Sequence, residues 1–185
     1  MGALFEAETL ADPQLAQVVP AELLRWYQTP AAQWFRQELQ QDFGDAPPAV
    51  AAAALKAASA RGASAAFYLH QLGHPLLLAS DTPSSPTFAH QPGYGTYLEI
   101  QAMARAGISL QAIFEAATLN NARLLKLDRH YGTVSVGKVA NLLLLNKNPL
   151  LRSDAWGQIE QVILHGKVFH RAGFAAQAAN AITED

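Results

Sequence analysis

Residues 76–79 form an uninterrupted apolar run, with Gly73 and Pro75 on one side and Pro83 on the other. The run is too short for a surface helix, and its continuous apolar character predicts a strand covered on both faces, as in a parallel sheet. Asp81 follows the run, and α/β folds place ligands and catalytic groups at the carboxyl ends of such strands. A carboxylate there can bind a metal or accept a proton, although Asp-Thr-Pro is also common turn chemistry.

Helical periodicity dominates the chain before this run. Helices are predicted over residues 21–27, 31–43, 63–72 and from Asp45 to about residue 60. Gly62 is expected to interrupt the helix that starts at Asp45, because glycine inside a helix costs about 1 kcal/mol relative to alanine. Prolines near the predicted starts are compatible with this division, since the first turn of a helix tolerates proline.

Two histidines near the end of the helical region have the spacing of a metal pair. His70 and His74 are related as i and i+4, which places two ligands on one face of a continuous helix. Gly73 should end the helix and Pro75 should hold His74 in an extended conformation. The sequence therefore predicts no metal site here, and it places His70 as a cation in the last helical turn.

Three further helices are predicted after the apolar run. They cover residues 97–106, residues 110–118 and a short stretch that ends at residue 127. Their expected start signals are a Thr96-x-x-Glu99 capping box, Ser109 and Asn120. In the second of these helices, apolar residues recur at i, i+3, i+4 and i+7, which indicates one buried stripe.

The last part of the chain has strand-like patterning, with glycine turns between short apolar runs. Strands are predicted at residues 133–135, 141–145, 159–164 and 167–170. His165 and Gly166 separate the last two strands and predict a tight hairpin. We therefore expect an antiparallel patch after a helical body, with residues 176–185 as a frayed tail.

Composition excludes several classes of function. The chain of 185 residues has 13 lysines and arginines against 15 aspartates and glutamates, and its net charge of -2 argues against a nucleic-acid partner. The absence of cysteine excludes disulfides and thiolate metal sites from this sequence. Its first residues lack the features of a signal peptide, and no apolar run is long enough to span a bilayer. We expect a soluble, cytoplasmic protein with no membrane partner.

Five ordered blocks of sequence carry a resemblance to a known group of enzymes. The blocks are LLLASDT at 76–82, PGYGTYLEIQAMARAGIS at 92–109, AATLNNARLLKL at 116–127, GTVSVGKVANLLLLNKNPL at 132–150 and VILHGKVFH at 162–170. Together they resemble the C-terminal part of the amidohydrolase superfamily, with imidazolonepropionase-like and prolidase-like members. The resemblance implies an α/β fold, the C-terminal part of a (β/α)8 TIM barrel plus part of a small β-sandwich domain. Residues 1–128 would belong to the barrel and residues 129–175 to the sandwich.

The resemblance also implies a role for Asp81. In the superfamily, the aspartate after the last barrel strand binds the metal or deprotonates the hydrolytic water, so Asp81 is the expected catalytic residue and metal ligand. The implied cofactor is a divalent metal, zinc in the first place. The implied reaction is metal-assisted hydrolysis of a non-peptide amide or cyclic amide C–N bond in a small-molecule substrate. His90, in the loop over residues 82–95, is the candidate for substrate binding.

Several residues of the superfamily have no counterpart in this sequence. The His-x-His pair is absent, and no histidine takes the place of the later barrel ligands. A catalytic zinc needs three protein ligands and a water, so this chain alone is expected to bind no metal. We expect the rest of a barrel, or self-association, to cover open sheet edges and exposed apolar surface. Asn141 stands where the superfamily usually has aspartate, a change expected to affect the sandwich and not the chemistry.

Two alternatives stay open at the level of sequence. One is a catalytically incomplete fragment or a non-catalytic module that keeps the packing of the fold without its histidine ligands. The other is a dipeptidase-like or deaminase-like member of the same superfamily, since one scaffold supports several leaving groups. The missing ligands favour the first alternative, whereas the five ordered blocks favour an enzyme.

Overall fold

The computed structural model describes residues 19–26, 29–34, 37, 41, 44, 46–82 and 92–174. Its helices are α1 (Ala21–Trp26), α2 (Pro48–Gln71), α3 (Tyr94–Arg105), α4 (Leu110–Glu115) and α5 (Asn121–Leu124). Its strands are β1 (Leu142–Leu145), β2 (Ile159–Leu164) and β3 (Lys167–His170). Short 3-10 segments cover Pro30–Ala32, Ser153–Gly157 and Arg171–Phe174. The described residues form two compact units, and the one that comprises Ala63–Ala79 and Thr96–Phe174 is called the C-terminal unit below.

Helix α2 is longer than the sequence predicts. It runs for 24 residues and continues through Gly62, so the predicted interruption there is wrong. The alanine-rich sequence on both sides supplies helix propensity that outweighs the cost of one glycine. The expected cap Asp45 and much of the predicted helix over 31–43 lie outside the described residues. Among the described helices, α2 included, none combines the length and apolar character that a membrane crossing requires.

The C-terminal end of α2 has the predicted form. Gly73 adopts φ 79 and donates its N–H to the carbonyl of His70 at 3.0 Å, and His74 donates to Leu69 at 3.1 Å. These two bonds form a Schellman motif, which ends the helix. The position of His70 in the last turn is confirmed. Its Nε2 accepts the N–H of Ser109 at 3.4 Å.

Helix α3 begins before the predicted capping box. It starts at Tyr94, directly after the turn at Pro92 and Gly93. Thr96 and Glu99 therefore lie inside the helix, and the box predicted to open it is wrong. The physical reason is the Pro-Gly turn, which redirects the chain earlier and leaves the following residues free to be helical.

Ser109 caps α4 as predicted, since its Oγ accepts the N–H of Ala112 at 3.2 Å. A π-helical turn over Ala116–Asn120 then joins α4 to α5. The predicted cap at Asn120 is wrong, because its φ of -67 and ψ of -43 are helical and its side chain makes no capping bond. Its amide donates instead to the carbonyl of Leu76, far away in the sequence.

The core of the C-terminal unit is helical. Its buried members are Ile100, Met103, Ile108, Ile113 and Ala116. Leu76 and Leu78 pack against this cluster, whereas Leu77 is 42% exposed. Such alternation is typical of an extended chain with one covered face. The prediction of a strand buried on both faces is wrong, because the described residues give this run no neighbouring strand to pair with.

The sheet has three antiparallel strands in the order β1-β2-β3. His165 and Gly166 connect β2 to β3 with φ values of 50 and 79, the positive angles of a type I′ turn. Asn141, just before β1, accepts the His165 N–H through Oδ1 at 2.8 Å. The predicted hairpin and antiparallel patch are confirmed, and Asn141 supports that patch.

The connection from α5 to β1 consists of turns. The strand predicted at residues 133–135 is wrong, and Val134 is 85% exposed. No described strand lies beside this stretch to complete a ladder, so its valines gain nothing from strand propensity. Lys138 holds the connection together, because its Nζ donates to the carbonyls of Asp128 at 2.6 Å and Tyr131 at 3.1 Å.

The segment Ser153–Gly157 ties the helices to the sheet within the C-terminal unit. Gln101 on α3 donates through Nε2 to the Ser153 carbonyl at 2.9 Å, and the Ser153 hydroxyl donates back to Gln101 Oε1 at 2.8 Å. Phe114 on α4 and Trp156 place their ring centroids 5.9 Å apart, within the range of favourable aromatic pairs. One short segment therefore contacts both helices before the chain enters β2.

Candidate functional site

Asp81, the residue singled out by the sequence, is exposed and follows the extended run 76–79. Its φ of 51 lies in the left-handed region, which aspartate enters more readily than most residues. The hydroxyls of Ser80 and Thr82 on either side of it are hydrogen-bonded at 3.0 Å. This geometry is compatible with both alternatives that the sequence left open, a reactive carboxylate and a turn residue.

Two asparagine side chains bind the run that precedes Asp81. Asn120 Nδ2 donates to the carbonyl of Leu76 at 3.0 Å, and Asn121 Nδ2 donates to the carbonyl of Leu78 at 2.8 Å. Both bonds are partly buried, where a lost partner costs more than it does at the surface. Sequence reasoning missed this role. The signal is a pair of adjacent asparagines within a helical stretch, where asparagine is a poor helix former and needs another reason to be present.

The described residues do not by themselves form a metal site. In this part of the chain, no group of three or more histidine, cysteine, aspartate or glutamate side chains is arranged to hold an ion. Asp81 contributes one carboxylate, whereas a catalytic zinc needs three protein ligands. This donor set does not fit the divalent metal implied by the sequence resemblance.

The structure describes the positions of the other histidines but not that of His90. His90, the candidate for substrate binding, lies outside the described residues, and its role stays a prediction. His70 accepts a backbone hydrogen bond, and His165 occupies the hairpin turn. The ring of His130 lies 6.5 Å from that of Tyr131 in an edge-to-face arrangement.

An apolar groove of about 890 Å³ is a second candidate site, and it lies within the C-terminal unit. Its walls come from α4, the π-helical turn, the connection to β1 and β1 itself, with Trp156 on one side. Glu115 is the one charged side chain among its lining residues, and Asp81 is not among them. Leu143 and Leu144 line the groove and remain 48% and 46% exposed. The sequence did not predict this groove, because its enclosing shape depends on contacts that no sequence pattern specifies.

Glu99 has a shifted pKa. Burial removes water from its carboxylate on α3 and raises its pKa above the usual 4.5. The residue as a whole is nevertheless exposed, so solvent screening keeps the consequence of this shift small.

Comparison with known proteins decides the family. A profile described as the amidohydrolase family matches residues 29–170, which is most of the chain. The chain belongs to the amidohydrolase family. This result confirms the resemblance drawn from the five sequence blocks. A search of curated proteins found no match for this amidohydrolase sequence.

Two of the solved structures that resemble this amidohydrolase chain have a TM-score above 0.5. A candidate prolidase from Bifidobacterium longum is 31% identical, with a TM-score of 0.51, and the match covers 66% of this chain and 30% of the other. A molinate hydrolase is 22% identical, with a TM-score of 0.53, and the match covers 58% and 26%. The second likeness concerns the fold alone. The chain spans less than a third of the length of each of these two proteins.

The amidohydrolase neighbours imply a TIM-barrel-type fold. The described residues form a partial α/β piece of such a fold, with one small three-stranded sheet. The finer division into barrel residues up to 128 and sandwich residues from 129 stays a prediction.

Proposed function

We propose that this chain is part of a hydrolase that cleaves an amide or cyclic amide C–N bond in a small molecule, with Asp81 as the proton acceptor. The observation that carries the proposal is the place of Asp81. It is an exposed carboxylate at the end of an extended run whose Leu76 and Leu78 pack on the helical core. Membership of the amidohydrolase family supports hydrolysis as the reaction class.

The proposed reaction balances with water as the second reactant. The Asp81 carboxylate takes a proton from the water while the water oxygen attacks the carbonyl carbon. The protonated Asp81 then gives that proton to the leaving nitrogen. The C–N bond breaks and the Asp81 carboxylate is restored. A linear amide gives a separate carboxylic acid and amine, whereas a cyclic amide gives one ring-opened product that carries both groups. A positioned general base contributes about 10²- to 10⁴-fold to such a rate. A role for Asp81 as a metal ligand remains a prediction from the resemblance, because its described neighbours do not complete a metal site.

A dipeptidase-like hydrolase is the second candidate. It is favoured by the candidate prolidase, which is 31% identical over 66% of this chain. The bond broken would then be a peptide bond rather than a non-peptide amide. The role of Asp81 would be the same, because the same proton transfer serves both leaving groups.

The experiment uses the protein as its source cells make it. The gene is tagged at its own locus, so that any chain natively associated with it is purified as well. The material is offered N-acyl amino acids, cyclic amides and dipeptides with C-terminal proline, and products are followed by mass spectrometry. Asp81→Asn should lower kcat by about 10²-fold or more, because the amide cannot act as a base.

Asp128→Asn is the matched control, since Asp128 is exposed and only its backbone carbonyl is used, by Lys138. It should leave kcat unchanged. Activity of the Asp81→Asn protein within a few fold of the parent would refute the role of Asp81. Failure of the unaltered material to hydrolyse any of the three substrate classes would contradict the enzyme and favour the non-catalytic module.

A further inference from the structure

The two asparagines that bind the run 76–79 occupy the place of a neighbouring strand. The carbonyls of Leu76 and Leu78 are separated by one residue, and alternate carbonyls of an extended chain point to the same side. Asn120 and Asn121 donate to them at 3.0 Å and 2.8 Å. In a sheet, these carbonyls would accept from the backbone N–H groups of an adjacent strand. Here two side-chain amides supply the donors.

The π-helical turn explains how two consecutive residues reach one strand edge. In an α-helix successive side chains diverge by about 100°, which points adjacent residues in different directions. A π-helical turn holds more residues, so its successive side chains diverge less. Asn120 is the last residue of the turn Ala116–Asn120, and Asn121 begins α5. The wide turn therefore presents both amides to the same extended run.

We infer that Asn120 and Asn121 are positioning residues for Asp81. They bind the run at Leu76 and Leu78 and thereby fix its register against the helices, and Asp81 follows Leu78 by three residues. A slip of an extended chain by one residue turns every side chain to the opposite face. The two amides oppose such a slip, because it would move both carbonyls away from their donors. This inference rests on the proposed function of Asp81.

Asn→Asp substitutions provide a matched test, because aspartate keeps the shape of asparagine and loses its donors. At Asn120 and Asn121 the donating Nδ2 would become an oxygen that faces a carbonyl oxygen. At Asn141 the side chain accepts through Oδ1 from His165 N–H at 2.8 Å, so Asn141→Asp keeps the bond. Asn120→Asp and Asn121→Asp should therefore release the run, whereas Asn141→Asp should not.

The first readout is independent of activity. The chain has no cysteine, so Asp81→Cys creates one thiol that can carry a nitroxide label. The electron paramagnetic resonance spectrum should show faster label motion when Asn120→Asp or Asn121→Asp is added, and no change with Asn141→Asp. Circular dichroism of each variant separates local release from unfolding. Identical label spectra in all folded variants would overturn the inference.

The second readout is kinetic and uses the locus-tagged protein. Asn121→Asp should lower kcat by about 10- to 100-fold with KM nearly unchanged, since misplacing a catalytic group by 1 Å can cost about 10²-fold. In an Asp81→Asn background it should have little further effect, because both changes remove the same base. A full additional loss would contradict action through Asp81. If Asp81→Asn alone leaves kcat unchanged, the proposed function fails, whereas label spectra still report whether the asparagines hold the run.

Discussion

Residues 76–79 and strand β1 are leucine-rich runs of equal length, and they have different partners. β1 pairs through its backbone with β2, from Leu142 opposite Ile163 to Leu145 opposite Ile159. The run 76–79 has no described strand beside it, and its carbonyls at Leu76 and Leu78 accept from asparagine side chains. Both runs expose some leucine, at Leu77 in the first and at Leu143 and Leu144 in the second.

The difference shows what decides whether an apolar run becomes a strand. Strand propensity describes how well a residue fits a pleated, half-buried surface, and it requires a neighbour to pair with. β1 has that neighbour because the hairpin of β2 and β3 folds locally and Asn141 anchors its turn. The run 76–79 keeps an extended backbone and one covered face, while side chains complete its hydrogen bonds. The same apolar sequence pattern can therefore give either an unpaired extended segment or a paired strand.

The largest expected loss of stability comes from a substitution in the connection between α5 and β1. Gly132 lies between α5 and β1 with φ 88, and an added Cβ would lie 2.7 Å from Ala122 Cβ and 3.1 Å from Leu119 Cα. Gly132→Ala should lower the free energy of unfolding by about 3 kcal/mol, because a steric clash adds to the strain of positive φ. Urea denaturation measures the change.

Gly137 supplies the control for that substitution. Its φ of 86 is nearly the same, and an added Cβ would meet nothing within 4 Å. Gly137→Ala should therefore cost only the backbone strain, about 1 kcal/mol. Equal losses at the two glycines would show that the close approach at Gly132 contributes nothing.

The next effect separates the two runs directly. Asn121→Leu removes the donor to Leu78 and leaves a partly buried carbonyl without its partner, at a cost of about 1–2 kcal/mol. Limited proteolysis should become faster near residues 74–82 and stay unchanged within β1. Asn148→Leu is the control, because it removes an exposed bond to the Leu150 N–H. Faster cleavage in β1 as well would show that the Asn121 side chain stabilises both runs.

The sequence predicted elements whose signals are local, and it missed those that depend on distant partners. The His165-Gly166 hairpin, the Ser109 cap and the glycine end of α2 are each specified by a few adjacent residues. The state of the run 76–79 depends on residues more than forty positions away. The capping assignment of Asn120 failed for the same reason, since its amide has a remote acceptor. Asp81 was chosen as the candidate because it follows the run 76–79. The sequence spacing of residues could not predict which side chains lie near it in space.

A smaller effect should appear on the β1 side alone. His165 adopts φ 50 in the first central position of the type I′ turn, where asparagine before glycine is preferred. His165→Asn should raise the free energy of unfolding by about 0.5 kcal/mol, because asparagine tolerates positive φ at lower cost. The bond to Asn141 uses the backbone N–H and is retained. His170→Asn, at the end of β3, should give no gain, and an equal gain there would contradict the turn-based explanation.

The smallest expected change in stability concerns α3, which contributes to the core that covers the run 76–79. Glu99 precedes Ile100, a member of the core against which Leu76 and Leu78 pack, and burial raises the Glu99 pKa above 4.5. Between the usual and the raised pKa, the folded protein binds more protons than the unfolded chain, so stability falls as pH rises through this window.

Glu99→Gln should remove that part of the pH dependence. At neutral pH the variant should be more stable, by less than about 0.5 kcal/mol, because Glu99 is exposed and solvent screens its charge. The two proteins should converge below the usual pKa, where neither carries the charge. Urea denaturation from pH 4 to pH 8 measures the difference, and a variant less stable than the parent at neutral pH would show that ionised Glu99 has a favourable partner.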